Sequence, residues 1–223
     1  MGDVNQLDWV RRHIDRVRPP ILEIGSKNYG AVSMDYRTLL AGRGQFIGTD
    51  MGAGDGVDVV ADLTADFETL PQPLRATKFR TILCMSVMEH VRDIYKFAAN
   101  FRRLLADDGV AFISVPWVWR FHGYPSDYWR FSPEALKFLL EPLVLDAGGS
   151  CLSYQQAGRF GPLSTTVLNT YPDYEADTAP PSRLGRAVGR LYRGVAGIAP
   201  RLARTRRQVL YPTMINAVFR RAA

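Results

Sequence analysis

Cysteine is nearly absent. Cys84 and Cys151 are the only two in 223 residues, and their spacing pairs neither with the other. That excludes a disulfide-built secreted scaffold and a cysteine-built structural zinc site, and no metal is expected. No run of 18 apolar residues occurs, so no helix is expected to span a membrane. The opening Met1-Gly2-Asp3-Val4-Asn5 lacks a basic-then-apolar leader, so a cytoplasmic protein is expected. Internal repeats and low-complexity blocks are missing too. What is present is an ordinary globular composition, 47% hydrophobic and 22% charged, which rules out a mostly disordered chain. The length suits one large domain, or one domain with an appendage. A core of that size needs no disulfide staples.

Acid is missing altogether from Ala179 to Ala223. That stretch holds ten arginines: Arg183, Arg186, Arg190, Arg193, Arg201, Arg204, Arg206, Arg207, Arg220 and Arg221. The formal net charge of +6 therefore hides an acidic body, since the other residues carry 18 basic and 22 acidic groups. The expected division is a body over 1–178 and a basic, helical extension over 179–223. Leu184, Val188, Leu191, Val195 and Ile198 step along one helical face, with arginines largely off it. A basic amphipathic helix suits an anionic membrane surface, which makes peripheral contact with the inner membrane face an expectation. Packing of that face on the body or on a second copy is the alternative. Nucleic acid ranks lower, because few aromatics interleave with the arginines.

In the body, short apolar strands alternate with amphipathic helices. Strands are expected at Ile21–Ile24, Gln45–Asp50, Val57–Asp62, Arg80–Met85 and Val110–Val115. Leu7, Val10, Ile14 and Val17 form one helical face, and Ile94, Phe97, Phe101 and Leu104 another. Ser132-Pro133-Glu134 is a capped helix start. Cys151–Ala157 and Thr165–Tyr171 read as a final strand pair. Such alternation implies a mainly parallel sheet covered on both faces, with ligands at the carboxyl ends of its strands.

Those carboxyl ends carry a nucleoside-binding pattern. Gly25 opens the loop Gly25–Gly30, permitting a tight turn and close approach of a ligand to the backbone. Glu23 lies just before it and can face a cation. Asp50 ends the second strand, where a carboxylate can accept from a ribose diol. Asp62 ends the third, where it can receive an adenine amino group.

The segments ILEIGS (21–26), FIGTD (46–50), VVADL (59–63), Leu70-Pro71, CMSVMEHV (84–91) and LLADDGVAFISVP (104–116) fall in one order across roughly residues 20–140. In this the chain resembles the class I S-adenosylmethionine-dependent methyltransferases, of the type 11 kind. The resemblance implies an α/β fold, a doubly wound Rossmann-like seven-stranded sheet with its last strand antiparallel. It implies S-adenosyl-L-methionine as cofactor. Glu23, Gly25 and Ser26 would lie against its methionine part, Asp50 and Met51 at the ribose and adenine, Asp62 and Leu63 at the adenine, and Met85 and Ser86 along its other side. The loop departs from the family pattern at Lys27 and Tyr29, where glycines are usual.

Three of the four tryptophans fall between Pro116 and Phe131. Aromatic faces with a few polar edges suit a sugar or a planar ring. The run from His122 through Asp127 and Arg130 looks like an element of methyltransferases linked to glycan biosynthesis. His122 or Asp127 is expected as base or nucleophile-orienting residue. His90, Trp117, Trp119, Tyr128 and Arg130 are expected against a small-molecule, glycan, glycolipid or sugar-precursor substrate, with an Asp127–Arg130 internal clamp as the alternative. Two other functional classes remain. A nicotinamide-dependent oxidoreductase would use Gly25-x-Lys27-x-x-Gly30 as a reduced dinucleotide loop, and a non-catalytic binding module would keep only the fold.

Overall fold

In the computed structural model, residues 3–30, 35–123, 126–168, 191, 194 and 212–222 are described. Eight strands form one sheet in the order β3-β2-β1-β4-β5-β8-β6-β7. In chain order they are β1 (Ile21–Ile24), β2 (Phe46–Asp50), β3 (Val59–Val60), β4 (Phe79–Met85), β5 (Leu105–Pro116), β6 (Leu143–Ser153), β7 (Phe160–Pro162) and β8 (Met214–Arg221). Strands β1 to β5 pair in parallel. β8 runs antiparallel between β5 and β6, and short β7 is antiparallel at the edge. The expected Rossmann-like sheet with an antiparallel last strand is therefore present, with β7 as an eighth strand.

Alternation along the buried strands splits the core in two. Ile82, Cys84, Ala111, Ile113, Ile215, Ala217 and Phe219 face one side, under α3 (Gln72–Arg75), α4 (Ile94–Leu104) and α5 (Pro133–Leu140). Leu83, Met85, Val110, Phe112 and Val218 face the other, under α1 (Gln6–Arg12) and α2 (Tyr36–Leu39). The α4 face read from sequence is the buried one. The expected face of Leu7, Val10, Ile14 and Val17 packs in the second core, with Val10 and Val17 buried and Leu7 and Ile14 partly buried, and Gln6 and Trp9 of α1 are buried beside it. Trp9 adds the largest side chain there, its ring packing edge-on to Phe112 at 5.4 Å.

Two expectations about the C-terminal half need correction. Thr165–Leu168 is a helical turn, α6, not a strand. The Ser164 carbonyl accepts from the Val167 and Leu168 amides at 3.1 and 3.0 Å, so local turn bonding overrides the β-branched composition. Residues 169–171 lie outside the described residues. The extension expected over 179–223 also ends differently, because its last apolar run is β8, in the middle of the sheet. Ile215, Ala217, Val218 and Phe219 are completely buried, and an apolar run of that kind is most stable between two strands. Apart from Leu191 and Gly194, both helical and exposed, the stretch 169–211 lies outside the described residues. Among the described residues no helix is long and apolar enough to cross a membrane.

Candidate functional site

Strand order reverses between β1 and β4, so ligands are expected where the loops after these strands diverge. The β1 loop begins at Gly25, whose φ of +78° favours glycine; a Cβ there would stand 2.4 Å from Val87 Cγ2. The Gly25 and Ser26 amides donate to the Thr49 carbonyl at 2.8 and 3.1 Å. The Asn28 amide donates to the Asp55 carbonyl at 2.9 Å, and a Cβ on Gly56 would sit 2.5 Å from the Ser26 carbonyl. These contacts hold the β1 loop close on the β2 loop. Lys27 lies along the same loop, its Cε 2.8 Å from where a Gly54 Cβ would stand, and its ammonium is 5.6 Å from the Tyr29 ring.

The predicted cofactor residues do not all face one groove. Glu23 is partly buried on β1, and burial raises its carboxyl pKa to about 8. Ser26 is buried, and its hydroxyl has no hydrogen-bond partner. Asp50 ends β2 with one oxygen accepting from the Gly52 amide at 3.0 Å, which leaves acceptor capacity on the carboxylate. Met51 beside it is 68% exposed. Asp62 uses Oδ1 to cap its own turn, accepting from the Thr64 amide at 2.8 Å and hydroxyl at 2.7 Å. The side chains of Leu63 and Met85 are buried in the two cores, so only their backbones can border a cofactor. Met85 ends β4 facing one core, and Leu63, in the turn after β3, packs into the other. Ser86 turns the chain out of β4 with φ +55°, a conformation rare outside glycine and typical of functional turns.

The second half of the site lies beyond β4 and β5. The loop carrying Ser126 to Trp129 is laced to the β4–α4 connection. The Tyr128 amide donates to the Glu89 carbonyl at 2.8 Å, and Trp129 Nε1 donates to the Val91 carbonyl at 2.7 Å. His90 Nδ1 bonds the Ser126 carbonyl. This lacing brings His90 and His122 edge to face, with ring centres 4.9 Å apart. A cleft there is lined by Asp3, Ser86, Glu89, Pro116, Trp119, His122 and Met214.

Asp127 is completed within the protein. Its carboxylate accepts from both Arg130 terminal nitrogens, one at 2.8 Å, and from the His122 amide at 2.9 Å. Hydrogen bonding from Arg130 holds its pKa well below the usual carboxylate range, which makes it a poor base. Of the two roles expected for Asp127, base or orienting residue, this arrangement disfavours the base, and its Oδ2 lies 3.2 Å from His122 Nδ1. Arg130 also donates to the Trp129 carbonyl at 2.7 Å. The internal clamp is the arrangement found, and Arg130 is committed to it rather than turned to a substrate. Trp117 and Trp119 are partly buried, with Phe121, Tyr128 and Trp129 exposed around them.

Several site residues escape a sequence reading. Glu89 is 1% exposed, and burial pushes its carboxyl up to about 8; its Oε2 has no partner. The adjacent Glu89-His90 pair after a strand was the available signal, and it reads equally as a helix start. Gln6 reaches from α1 to the Ser86 and Ser114 hydroxyls at 2.7 and 3.0 Å. The Thr213 hydroxyl donates to Asp3 at 2.9 Å. These polar groups come from the two ends of the chain, and no local pattern announces them.

Residues 35–113 match the sequence model of a family described as Methyltransferase domain. No curated protein matches the chain. Solved structures with the same fold include a SAM-dependent methyltransferase from Archaeoglobus fulgidus, 14% identical, with a TM-score of 0.56 over 96% of this chain and 91% of that one. An S-adenosylmethionine-dependent methyltransferase from Mesorhizobium loti is 11% identical, with a TM-score of 0.53 over 99% of both. The 1,6-didemethyltoxoflavin-N1-methyltransferase of Burkholderia thailandensis, solved with S-adenosylhomocysteine, is 12% identical, with a TM-score of 0.50 over 98% of this chain and 77% of that one.

Proposed function

We propose that this chain is an S-adenosylmethionine-dependent methyltransferase, on the strength of the Methyltransferase domain match over residues 35–113 and the shared fold, and that it methylates a small molecule of the glycan, glycolipid or sugar-precursor class. The observation that carries this reading is the junction at Ser86. There the glycine turn after β1, in contact with Val87, adjoins the cleft lined by Ser86, Glu89, Trp119 and His122.

S-adenosylmethionine supplies an electrophilic methyl group on a sulfonium. The groove fits such a cofactor. Gly25 keeps the loop backbone bare where it packs on Val87, the orphaned Ser26 hydroxyl awaits a partner, and Glu23 and Asp50 place acids for a cation and a ribose diol. Methyl transfer is an in-line displacement, so positioning the acceptor atom provides much of the rate. Trp119, Tyr128 and Trp129 offer faces for a sugar ring, and His122, held by Asp127, orients the acceptor atom. Lys27 and Tyr29, at the family's glycine positions, border the β2 loop and bear on how the cofactor enters.

Calorimetric titration with S-adenosylhomocysteine, S-adenosylmethionine and NAD tests the cofactor class. Binding of the first two and not the third is expected. Binding of NAD alone favours an oxidoreductase, and binding of none favours a non-catalytic module. With radiolabelled methyl donor and a panel of sugar acceptors, His122→Ala is expected to lower turnover at least about tenfold and leave S-adenosylhomocysteine affinity unchanged. Equal turnover would remove His122 from the reaction.

The arginines between Arg183 and Arg207 are proposed to meet an anionic membrane surface. Vesicle co-sedimentation of a full-length variant with these arginines changed to Gln tests this, because truncation would also remove β8. Equal binding by the variant overturns it.

A further inference from the structure

We propose that Glu89, His90 and His122 form a binding site for one divalent first-row transition-metal cation, opening into the cleft beside Ser86. One donor atom from each of the three lies within 4.8 Å of the other two. His90 Nδ1 bonds the Ser126 carbonyl. A carbonyl can only accept, so Nδ1 carries the proton and Nε2 keeps its lone pair. That Nε2 is 3.9 Å from Glu89 Oε1. His122 Nδ1 lies 3.2 Å from the Arg120 carbonyl and 3.2 Å from the Asp127 carboxylate, again two acceptors. His122 Nε2 is therefore its bare nitrogen as well. An imidazole whose far nitrogen is fixed by a backbone carbonyl or a carboxylate is the usual supporting arrangement behind a metal-bound histidine. Here both histidines have it.

Glu89 supplies the independent observation. Its side chain is 1% exposed, and Oε2 has no hydrogen-bond partner. An unsatisfied buried carboxyl oxygen is costly, and a cation between it and the two imidazoles removes that cost. Two imidazoles and one carboxylate suit zinc, cobalt, manganese or iron rather than the all-oxygen shells of magnesium and calcium. Metal–nitrogen bonds of about 2.1 Å place donors at most roughly 4.2 Å apart, so the site must close by about half an ångström or more. His122, with its side chain 21% exposed, has room to turn. Three protein ligands leave coordination positions open towards Pro116 and Trp119. If the acceptor is a hydroxyl compound, as the proposed function has it, its oxygen can take one of those positions and lose its proton more readily.

The test uses full-length, tag-free protein stripped with chelator and titrated with Zn2+, Co2+ and Mg2+. One Zn2+ or Co2+ per chain, visible Co2+ absorption bands and much weaker Mg2+ binding are expected. Asp127→Asn should weaken Zn2+ binding about 10- to 100-fold through the loosened His122. His122→Ala and Glu89→Gln should weaken it at least as much. Unfolding scans in chelator identify variants that stay folded, and partly exposed His122→Ala serves if Glu89→Gln does not. No stoichiometric binding, or equal Zn2+ affinity in wild type and His122→Ala, overturns the site. S-adenosylhomocysteine titration of the same samples separates the two readings. Loss of Zn2+ binding with cofactor affinity intact supports the metal site, and metal binding without methyl transfer to any acceptor counts only against the catalytic reading.

Discussion

Gly25 and Glu23 show how single residues shape the proposed cofactor groove. A side chain at Gly25 meets two obstacles, the left-handed backbone and the Val87 methyl. Gly25→Ala is expected to cost about 1–2 kcal/mol from the backbone alone, with further loss from the clash, and to abolish S-adenosylhomocysteine binding. Adding Val87→Ala should recover stability in part, because it relieves only the clash; thermal unfolding of the single and double variants checks this. Glu23 titrates near 8 in the folded protein against an ordinary value near 4.5, because of burial. The folded state therefore holds its proton more tightly than the unfolded chain. Stability loses this contribution as pH rises from about 4.5 through 8. Glu23→Gln should then be more stable than wild type above pH 8, with the difference vanishing near pH 4, in denaturant titrations at both. If the ionised carboxylate faces the cofactor's cationic end, S-adenosylhomocysteine affinity falls up to about tenfold per pH unit below 8. The Gln variant would lose that slope.

Elements whose signals are local were legible. Ser132 caps α5 through the Ala135 amide at 3.1 Å, with Pro133 in the first turn. Ser132→Ala is expected to cost about 1 kcal/mol, a fall in melting temperature of roughly 2–4 °C at this chain length. Cofactor affinity should not change, since α5 packs on the face away from α1 and takes no part in lining the cleft. The stripe on α4 and the strands β1, β2 and β4 were equally readable, because their side chains repeat at the helical or strand period. The failures fell where tertiary contacts decide. Thr165-Thr166-Val167 has strand composition but follows an edge strand and turns instead. On α1, Gln6 is buried because the Ser86 and Ser114 hydroxyls accept from it across the sheet, which no local pattern reveals.

At the scale of the whole molecule, the chain's end belongs to its middle. β8 fills the gap between β5 and β6, and Met214 lines the cleft from there, while the Thr213 hydroxyl donates to Asp3 on the cleft wall. A chain ending at residue 211 would expose both partner strands and empty the core of Ile215, Val218 and Phe219. It is expected to be unfolded or insoluble, as circular dichroism and gel filtration would show, whereas a separate extension would be dispensable. Two of the chain's three histidines also meet at one point, though 32 positions separate them in the sequence.

The sequence by itself determined the alternation of strands and helices, the Gly25 turn, the acids Glu23, Asp50 and Asp62 in or just after β1, β2 and β3, and the aromatic loop after β5. Each is a property of neighbours along the chain: a periodicity, a cap or a turn. Only the tertiary structure decided that Asp127 is neutralised by Arg130 and orients His122, that Leu63 and Met85 face the cores, that Glu89 is buried beside both histidines, and that Met214–Arg221 is a central strand. Those outcomes depend on burial and on partners distant in sequence. Burial decides whether a carboxyl remains charged, and distant partners decide which side of the sheet a side chain serves.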